Sequence, residues 1–251
     1  MKLLLSGEGP TDLGVCGPAS GYCSGTDFTP GPMTHLLLML LEPLLGYSLA
    51  DFPDSLACIS ETSLCTQTKT TPARLQPTRG KKKGAETSYF YGNAMTLGRL
   101  ANTLAAEEAV PVLAVFFRDT DGTTSSAATL WEDKWRSIHD GFAAAGFAFG
   151  VPMLPKPKSE AWLLCVAGAN PGGSCESLEQ LPGNDASPRS AKSQLDAKLG
   201  HHHSAAELCD WLGQQTLDVA RLQTLPSFNA FYQALTGTTQ RLLEHAAPPP
   251  A

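Results

Sequence analysis

Val112-Leu-Ala-Val-Phe-Phe-Arg-Asp-Thr-Asp-Gly122 is the stretch from which the rest of the chain is read. Its first six residues, apolar and partly β-branched and starting just after Pro111, predict a fully buried strand of a parallel sheet. The run ends abruptly in Arg118, Asp119, Thr120 and Asp121, so the charges stand at the strand's exit. In open α/β sheets ligands collect outside the carboxyl ends of the strands. Asp119 and Asp121, two residues apart, leave such a strand on the same side and can face one hard cation such as Mg²⁺. The same residues could instead cap a following helix and form an Asx-turn with Gly122. The first strand of the chain bears on that choice.

Lys2 to Leu5 reads as a short apolar strand that gives way at once to Ser6-Gly-Glu-Gly-Pro-Thr-Asp12. Gly7 and Gly9 flank Glu8 and permit close backbone approach, Pro10 stops the strand, and Thr11 or Asp12 can cap the next element. Glu8 thus stands at one strand's carboxyl end as Asp119 and Asp121 stand at another's. If the two strands are neighbours in one parallel sheet, three carboxylates converge.

The 251 residues are enough for one large α/β domain or a domain with a helical appendage, and 42% hydrophobic content supplies a core. A net charge of −6 argues against a protein that coats nucleic acid by bulk electrostatics, but leaves room for a local basic patch. The apolar start is too short for a signal peptide, and no stretch reaches the roughly 18 uninterrupted apolar residues of a membrane helix, so the expectation is a cytoplasmic protein with no membrane partner. Seven cysteines without a CxxC pair exclude zinc-ribbon spacing and suggest reduced, structural thiols.

Along the chain, Gly14 to Gly31 is rich in glycine, serine and proline and reads as an irregular loop over the strand ends. Pro32 to Leu45 predicts a buried helix, Ser55 to Ser60 a strand, and Glu86 to Glu108 a crossover helix into the central strand. Between them Gln67 to Gly84 carries Lys69, Arg74, Arg79, Lys81, Lys82 and Lys83 with no acid. It is either a solvated loop or a strip that contacts phosphates. Helix is predicted from about Ala127 to Ala145, and strand from Phe147 to Met153. In the next segment, Pro155-Lys-Pro-Lys-Ser-Glu160, Ser159 has the form of a helix cap that puts Glu160 in the first turn at the mouth of the sheet, with Lys156 and Lys158 aimed at the same region. Lysines beside carboxylates suit a phosphate and its developing charge. Ala169 to Pro188 reads as a linker or mobile loop, and Ser190 to Leu199, Ala205 to Leu222 and Phe228 to His245 as helices. His201 to His203 invite a metal reading, which adjacent, diverging side chains disfavour. A P-loop, a GxSxG elbow and a GxGxxG after a strand are all absent.

Gly7-Glu-Gly-Pro-Thr-Asp12, the Asp119-Thr-Asp121 pair and Lys158-Ser-Glu-Ala-Trp-Leu-Leu164 together resemble the toprim fold of topoisomerases, bacterial primases and the overcoming-lysogenization-defect nucleases. The resemblance is closest to small bacterial toprim-like proteins. It covers residues 1–168, with a loop-rich insertion at about 13–84; residues 169–189 would then be a linker and 190–251 a helical C-terminal extension. It implies an α/β, Rossmann-like parallel sheet flanked by helices. It further implies Mg²⁺ or Mn²⁺ held by Glu8, Asp119, Asp121 and Glu160, with Lys158 beside them, and nucleic acid contacted by Arg79, Lys81, Lys82, Lys83 and Lys156. The activity expected is cleavage of DNA or RNA, in a setting such as antiphage defence with a separate ATPase partner. A non-catalytic toprim module and a small-molecule phosphohydrolase are the competing expectations. No tyrosine can be matched to a topoisomerase-type covalent role.

Overall fold

The computed structural model describes residues 1–17, 21–70, 84–120, 130–169 and 173–246. Its centre is a sheet of five strands among the described residues. Four of them run parallel: β1 (Lys2–Gly7), β5 (Leu56–Ser60), β6 (Val112–Phe117) and β7 (Gly150–Met153). β3 (Tyr22–Ser24) pairs antiparallel with β5 at one edge, which gives the order β3-β5-β1-β6-β7. The expected pairing of the first strand with the central strand is therefore direct, with Lys2 opposite Val112 and Gly7 opposite Phe117. All six residues of β6 are buried, as a strand covered on both faces requires.

Side-chain alternation divides the core into two layers. Leu3, Leu5, Leu113, Val115 and Phe117 face α1 (Pro32–Leu45), α5 (Ser159–Val166) and the C-terminal helices. Leu4, Val112, Ala114 and Phe116 face α2 (Glu61–Thr70), α3 (Gly84–Glu108) and α4 (Leu130–Ala144). α6 (Ala191–Leu199), α7 (Ala205–Gly213), α8 (Val219–Leu222) and α9 (Pro226–Ala246) pack Leu195, Leu212, Leu222 and Phe228 into the first layer, so the C-terminal extension shares the sheet's core. Trp162 of α5 is wholly buried there. It stacks on Phe231 with centroids 5.4 Å apart and donates its indole N–H to the Ser227 hydroxyl at 2.9 Å. Burial of an indole is favourable when its N–H finds such an acceptor.

The single helix expected from Ala205 to Leu222 is two, α7 and α8, with residues 214–218 between them. Three further features differ from the sequence reading. The Gly14 to Gly31 region is not wholly irregular: β2 (Gly14–Cys16) and β4 (Phe28–Pro30) form an antiparallel ribbon, and β3 lies between them in sequence. Short strands of three residues leave no alternation long enough to be recognised. The 169–188 stretch carries, within its described part, a 3₁₀ turn (Glu176–Gln180) with Leu178 and Glu179 buried. Glu179 accepts the Ser227 N–H at 2.7 Å and so satisfies an open donor at the start of α9. Burial pushes its carboxyl above the usual range.

The third difference concerns the cysteines. Cys16 is bonded to Cys23 and Cys165 to Cys175, with Cα atoms 5.5 and 5.8 Å apart, while Cys58, Cys65 and Cys209 are free thiols. Pairing depends on which Cα atoms the fold brings near, which spacing alone does not reveal. Burial pushes the Cys58 thiol up to about 12 and the Cys209 thiol to about 11, so neither is a reactive thiolate at neutral pH. Among the described residues no helix is long and apolar enough to cross a membrane.

Alkylation of denatured, unreduced protein should modify three cysteines, and peptide mapping should recover the 16–23 and 165–175 cross-links. Joint Cys165→Ser and Cys175→Ser substitution should lower the unfolding free energy by about 2–4 kcal/mol in a denaturant titration. Modification of all seven thiols without reductant would contradict the pairing.

Candidate active site

The parallel strands end together, so the residues after them share one edge: Glu8 after β1, Glu61 after β5, and Arg118 and Asp119 after β6. Gly7 sets the closeness of that edge. A Cβ on Gly7 would lie 2.4 Å from the Phe117 carbonyl oxygen, a contact with backbone that cannot yield cheaply. Beyond Glu8 the chain makes a single π-helical turn, Gly9–Leu13, which carries Asp12 back over the strand ends. The turn is pinned from outside, because Gly31 donates to the Leu13 carbonyl at 2.9 Å and leaves no space for a side chain against the Asp12 carbonyl.

The Asp-Thr-Asp turn is anchored by its middle residue. Buried Thr120 donates its N–H to the Pro155 and Pro157 carbonyls and its hydroxyl to Pro155 at 2.9 Å. The Lys134 ammonium, itself buried, donates to the Thr120 carbonyl at 3.2 Å. These bonds tie the end of β6 to the Pro155–Lys158 segment, in which the Lys156–Pro157 peptide is cis, and so bring α5 beside Asp119.

The sequence pattern makes Ser159 the cap of α5. In the structure the cap position belongs to Lys158 and makes no side-chain cap bond. A carboxylate from another strand takes the capping role instead: Asp119 Oδ1 accepts the Ser159 N–H at 2.9 Å. The helix dipole favours an anion there. The Ser159 hydroxyl, freed from capping, donates to Asp12 Oδ1 at 2.8 Å. One serine thus holds two carboxylates, with Glu160 next to it in the first turn of α5.

The electrostatics reflect that crowding. Asp119 is raised well above the usual carboxylate range, first by desolvation and then by the charges of Asp12 and Glu160, against the opposing Ser159 N–H and Lys158. Burial also raises Asp12, although the hydroxyls of Ser159 and Thr11 and the charges of Lys158 and Lys192 oppose it. Burial chiefly raises Glu160 as well, with Asp12 adding to the effect. Glu160 Oε2 is buried and has no hydrogen-bond partner among the described residues. Lys158 answers this field and also pairs with Asp185 at 3.0 Å.

Of the residues singled out from sequence, Asp119, Glu160 and Lys158 meet in this cluster. Glu8 is drawn to the other side of the strand ends, where its carboxylate pairs with Arg118 Nε at 3.4 Å. Lys156 acts electrostatically on Glu179. Asp121, Arg79, Lys81, Lys82 and Lys83 lie outside the described residues. Asp12 is the member that sequence reasoning passed over: it reads as a cap, and the only signal of its role is an acid directly after the Gly-Glu-Gly-Pro-Thr turn.

A hard cation suits this donor set, which consists of carboxylate oxygens that repel one another and includes one buried oxygen with no donor to satisfy it. Among the described residues, however, no three Asp, Glu, His or Cys side chains converge closely enough to form a metal-binding group. No family model, no curated protein and no solved structure matches the chain, so the toprim resemblance rests on the sequence motifs alone.

Asp119, raised in the folded state, favours folding fully below its unfolded pKa and loses that contribution as pH rises through the folded value. Asp119→Asn should therefore stabilise the protein near pH 7–8 by about 0.5–2 kcal/mol. The advantage should shrink as pH falls and vanish below about 3, under the unfolded pKa, where the parental carboxyl is protonated in both states. Melting curves of the two proteins across that range measure it; a gap that is constant with pH would refute the shift.

Proposed function

We propose that the protein is a metal-dependent phosphodiesterase acting on nucleic acid, with Asp119, Asp12 and Glu160 at its centre. The observation that carries this reading is the Ser159-bridged gathering of carboxyls at the carboxyl edge of a parallel sheet, where their mutual repulsion raises the affinity of the place for positive charge. Asp119 and Glu160 would hold Mg²⁺ or Mn²⁺, with Asp121 as the further ligand that the Asp-x-Asp pattern supplies. The ion would contribute an activated water and charge neutralisation at the phosphate.

The chain's own groups have separate tasks. The Ser159 N–H fixes Oδ1 of Asp119, and the Ser159 hydroxyl fixes Oδ1 of Asp12, whose Oδ2 accepts from the Thr11 hydroxyl at 3.3 Å. Lys158 lowers the cost of three neighbouring acids and would take part of the charge that builds on a phosphate oxygen in the transition state. Glu8 would enter as a ligand or base only after exchanging its Arg118 partner. The nucleic-acid strip would be Arg79 and Lys81 to Lys83.

A cytoplasmic setting, with a separate ATPase as partner, is the matching biological proposal. The two disulfides pull against the location, since such bonds persist chiefly in oxidising compartments. Trapping of thiols at the moment of cell lysis would decide it.

Purified protein incubated with DNA and RNA should cleave in Mg²⁺ or Mn²⁺ and stop in EDTA. Asp119→Ala should lower the rate at least about 100-fold while the protein stays folded, and should lose the rise in melting temperature that the ion gives the parent. Joint Lys81→Glu, Lys82→Glu and Lys83→Glu should weaken binding across all sequences and flatten its salt dependence. Undiminished cleavage by Asp119→Ala, or a parent whose melting ignores the ion and which leaves every substrate intact, would favour the non-catalytic module.

A further inference from the structure

Arg118 occupies a position that the carboxylate cluster does not explain. It is carried by the strand exit of β6 next to Asp119, yet it faces the opposite side of the sheet, among residues supplied by the exit of β1, the start of α2, and α3. Its Nε pairs with Glu8 at 3.4 Å. Its Nη1 donates to Glu61 and, at 2.6 Å, to the Tyr89 hydroxyl, which in turn donates to Glu61. The guanidinium carbon lies 4.4 Å from the centroid of the Tyr89 ring. Nε, Nη1 and one face are therefore engaged, while the Nη2 donors have no partner among the described residues. The side chain is 25% exposed.

A brace between two helices and a strand would need neither this orientation nor a stacked face. Stacking on an aromatic ring and gripping by a carboxylate at Nη1 are ways of pre-organising a guanidinium so that its remaining N–H donors meet an anionic oxygen. The Glu8 contact is long and partly exposed, the kind that contributes little and exchanges readily.

We propose that Arg118 is a substrate-contacting residue whose Nη2 edge takes a non-bridging oxygen of a nucleic-acid phosphate, and that Glu61 and Tyr89 are positioning residues that aim it. The proposal rests on the nucleic-acid reading of the same site. A phosphate on Arg118 and a cation on Asp119 would then flank the strand end from its two sides, with Glu8 released from its arginine as the phosphate arrives.

The test measures binding apart from cleavage. Full-length protein is titrated with fluorescein-labelled single- and double-stranded DNA and RNA oligonucleotides in Ca²⁺ and in EDTA, over a series of salt concentrations, and cleavage is followed in parallel in Mn²⁺. Arg118→Met should weaken binding about tenfold or more and reduce the salt slope by about one, the signature of one lost phosphate contact. Arg118→Lys should restore the slope but not the full affinity, since an ammonium keeps the charge and loses the fork. Glu61→Gln and the milder Tyr89→Phe should each give a smaller loss with the slope kept, and Tyr89→Phe keeps the assignment testable if Arg118→Met does not fold. Parental affinity and slope in folded Arg118→Met would reduce the residue to a brace and overturn the proposal. A parent that binds none of the oligonucleotides would overturn it too. A parent that binds with the expected Arg118 dependence but never cuts would overturn the nuclease reading alone.

Discussion

The pairing of β1 with β6 is the constraint on which the remainder of the molecule depends. With Gly7 opposite Phe117 and no room for a Cβ between them, the two strands end in register. Each strand's exit is then delivered to one edge: Glu8 and the turn bearing Asp12 from β1, Arg118 and Asp119 from β6. A larger residue at position 7 would meet backbone, not a side chain able to rotate away, so the adjustment would have to come from the pairing itself. Parallel strands also oblige the chain to cross over between them, which is what α3 accomplishes before β6.

Around that edge the fold balances two opposing demands. Carboxyls crowded at partly desolvated positions destabilise the folded state, and the directions of the Asp12, Asp119 and Glu160 shifts express that cost. The compensation is local and specific: one backbone N–H at the start of α5, the hydroxyl of the same residue and that of Thr11, and the ammonium charges of Lys158 and Lys192. Thr120 and Lys134 secure the turn from beneath, so the strand end is held by hydrogen bonds rather than by burial alone. Clustered charge of this kind is common where proteins do chemistry, because function tolerates a loss of stability that packing elsewhere offsets. Here the offset lies in the apolar layers on either side of the sheet, where the aromatic group of Trp162, Phe228 and Phe231 joins α5 to α9.

Strand and helix positions were open to sequence reasoning wherever the apolar pattern was long. Val112–Phe117, Pro32–Leu45 and the crossover helix ending at Glu108 are legible from run length, periodicity and proline placement. So is the convergence of strand one with the central strand, and with it the candidacy of Asp119 and Glu160. The three-residue strands between Gly14 and Gly31 escaped because their signal is shorter than any period, and the disulfides escaped because seven cysteines permit many pairings.

Sequence by itself determined the α/β class, the placement of acids at strand exits and the presence of an acid in the first turn of α5, because each depends on residues close together in the chain. Only the tertiary structure decided which acids meet. Asp12 joined Asp119 because a turn pinned by Gly31 folds it back over the sheet, and Ser159 bridges them from 147 positions beyond Asp12. Glu8 went to Arg118 because alternation at the end of β6 sends Arg118 and Asp119 to opposite faces. The physical reason is common to both: a carboxylate's partner is fixed by distance and desolvation in the folded state, and neither quantity is a property of neighbours in sequence.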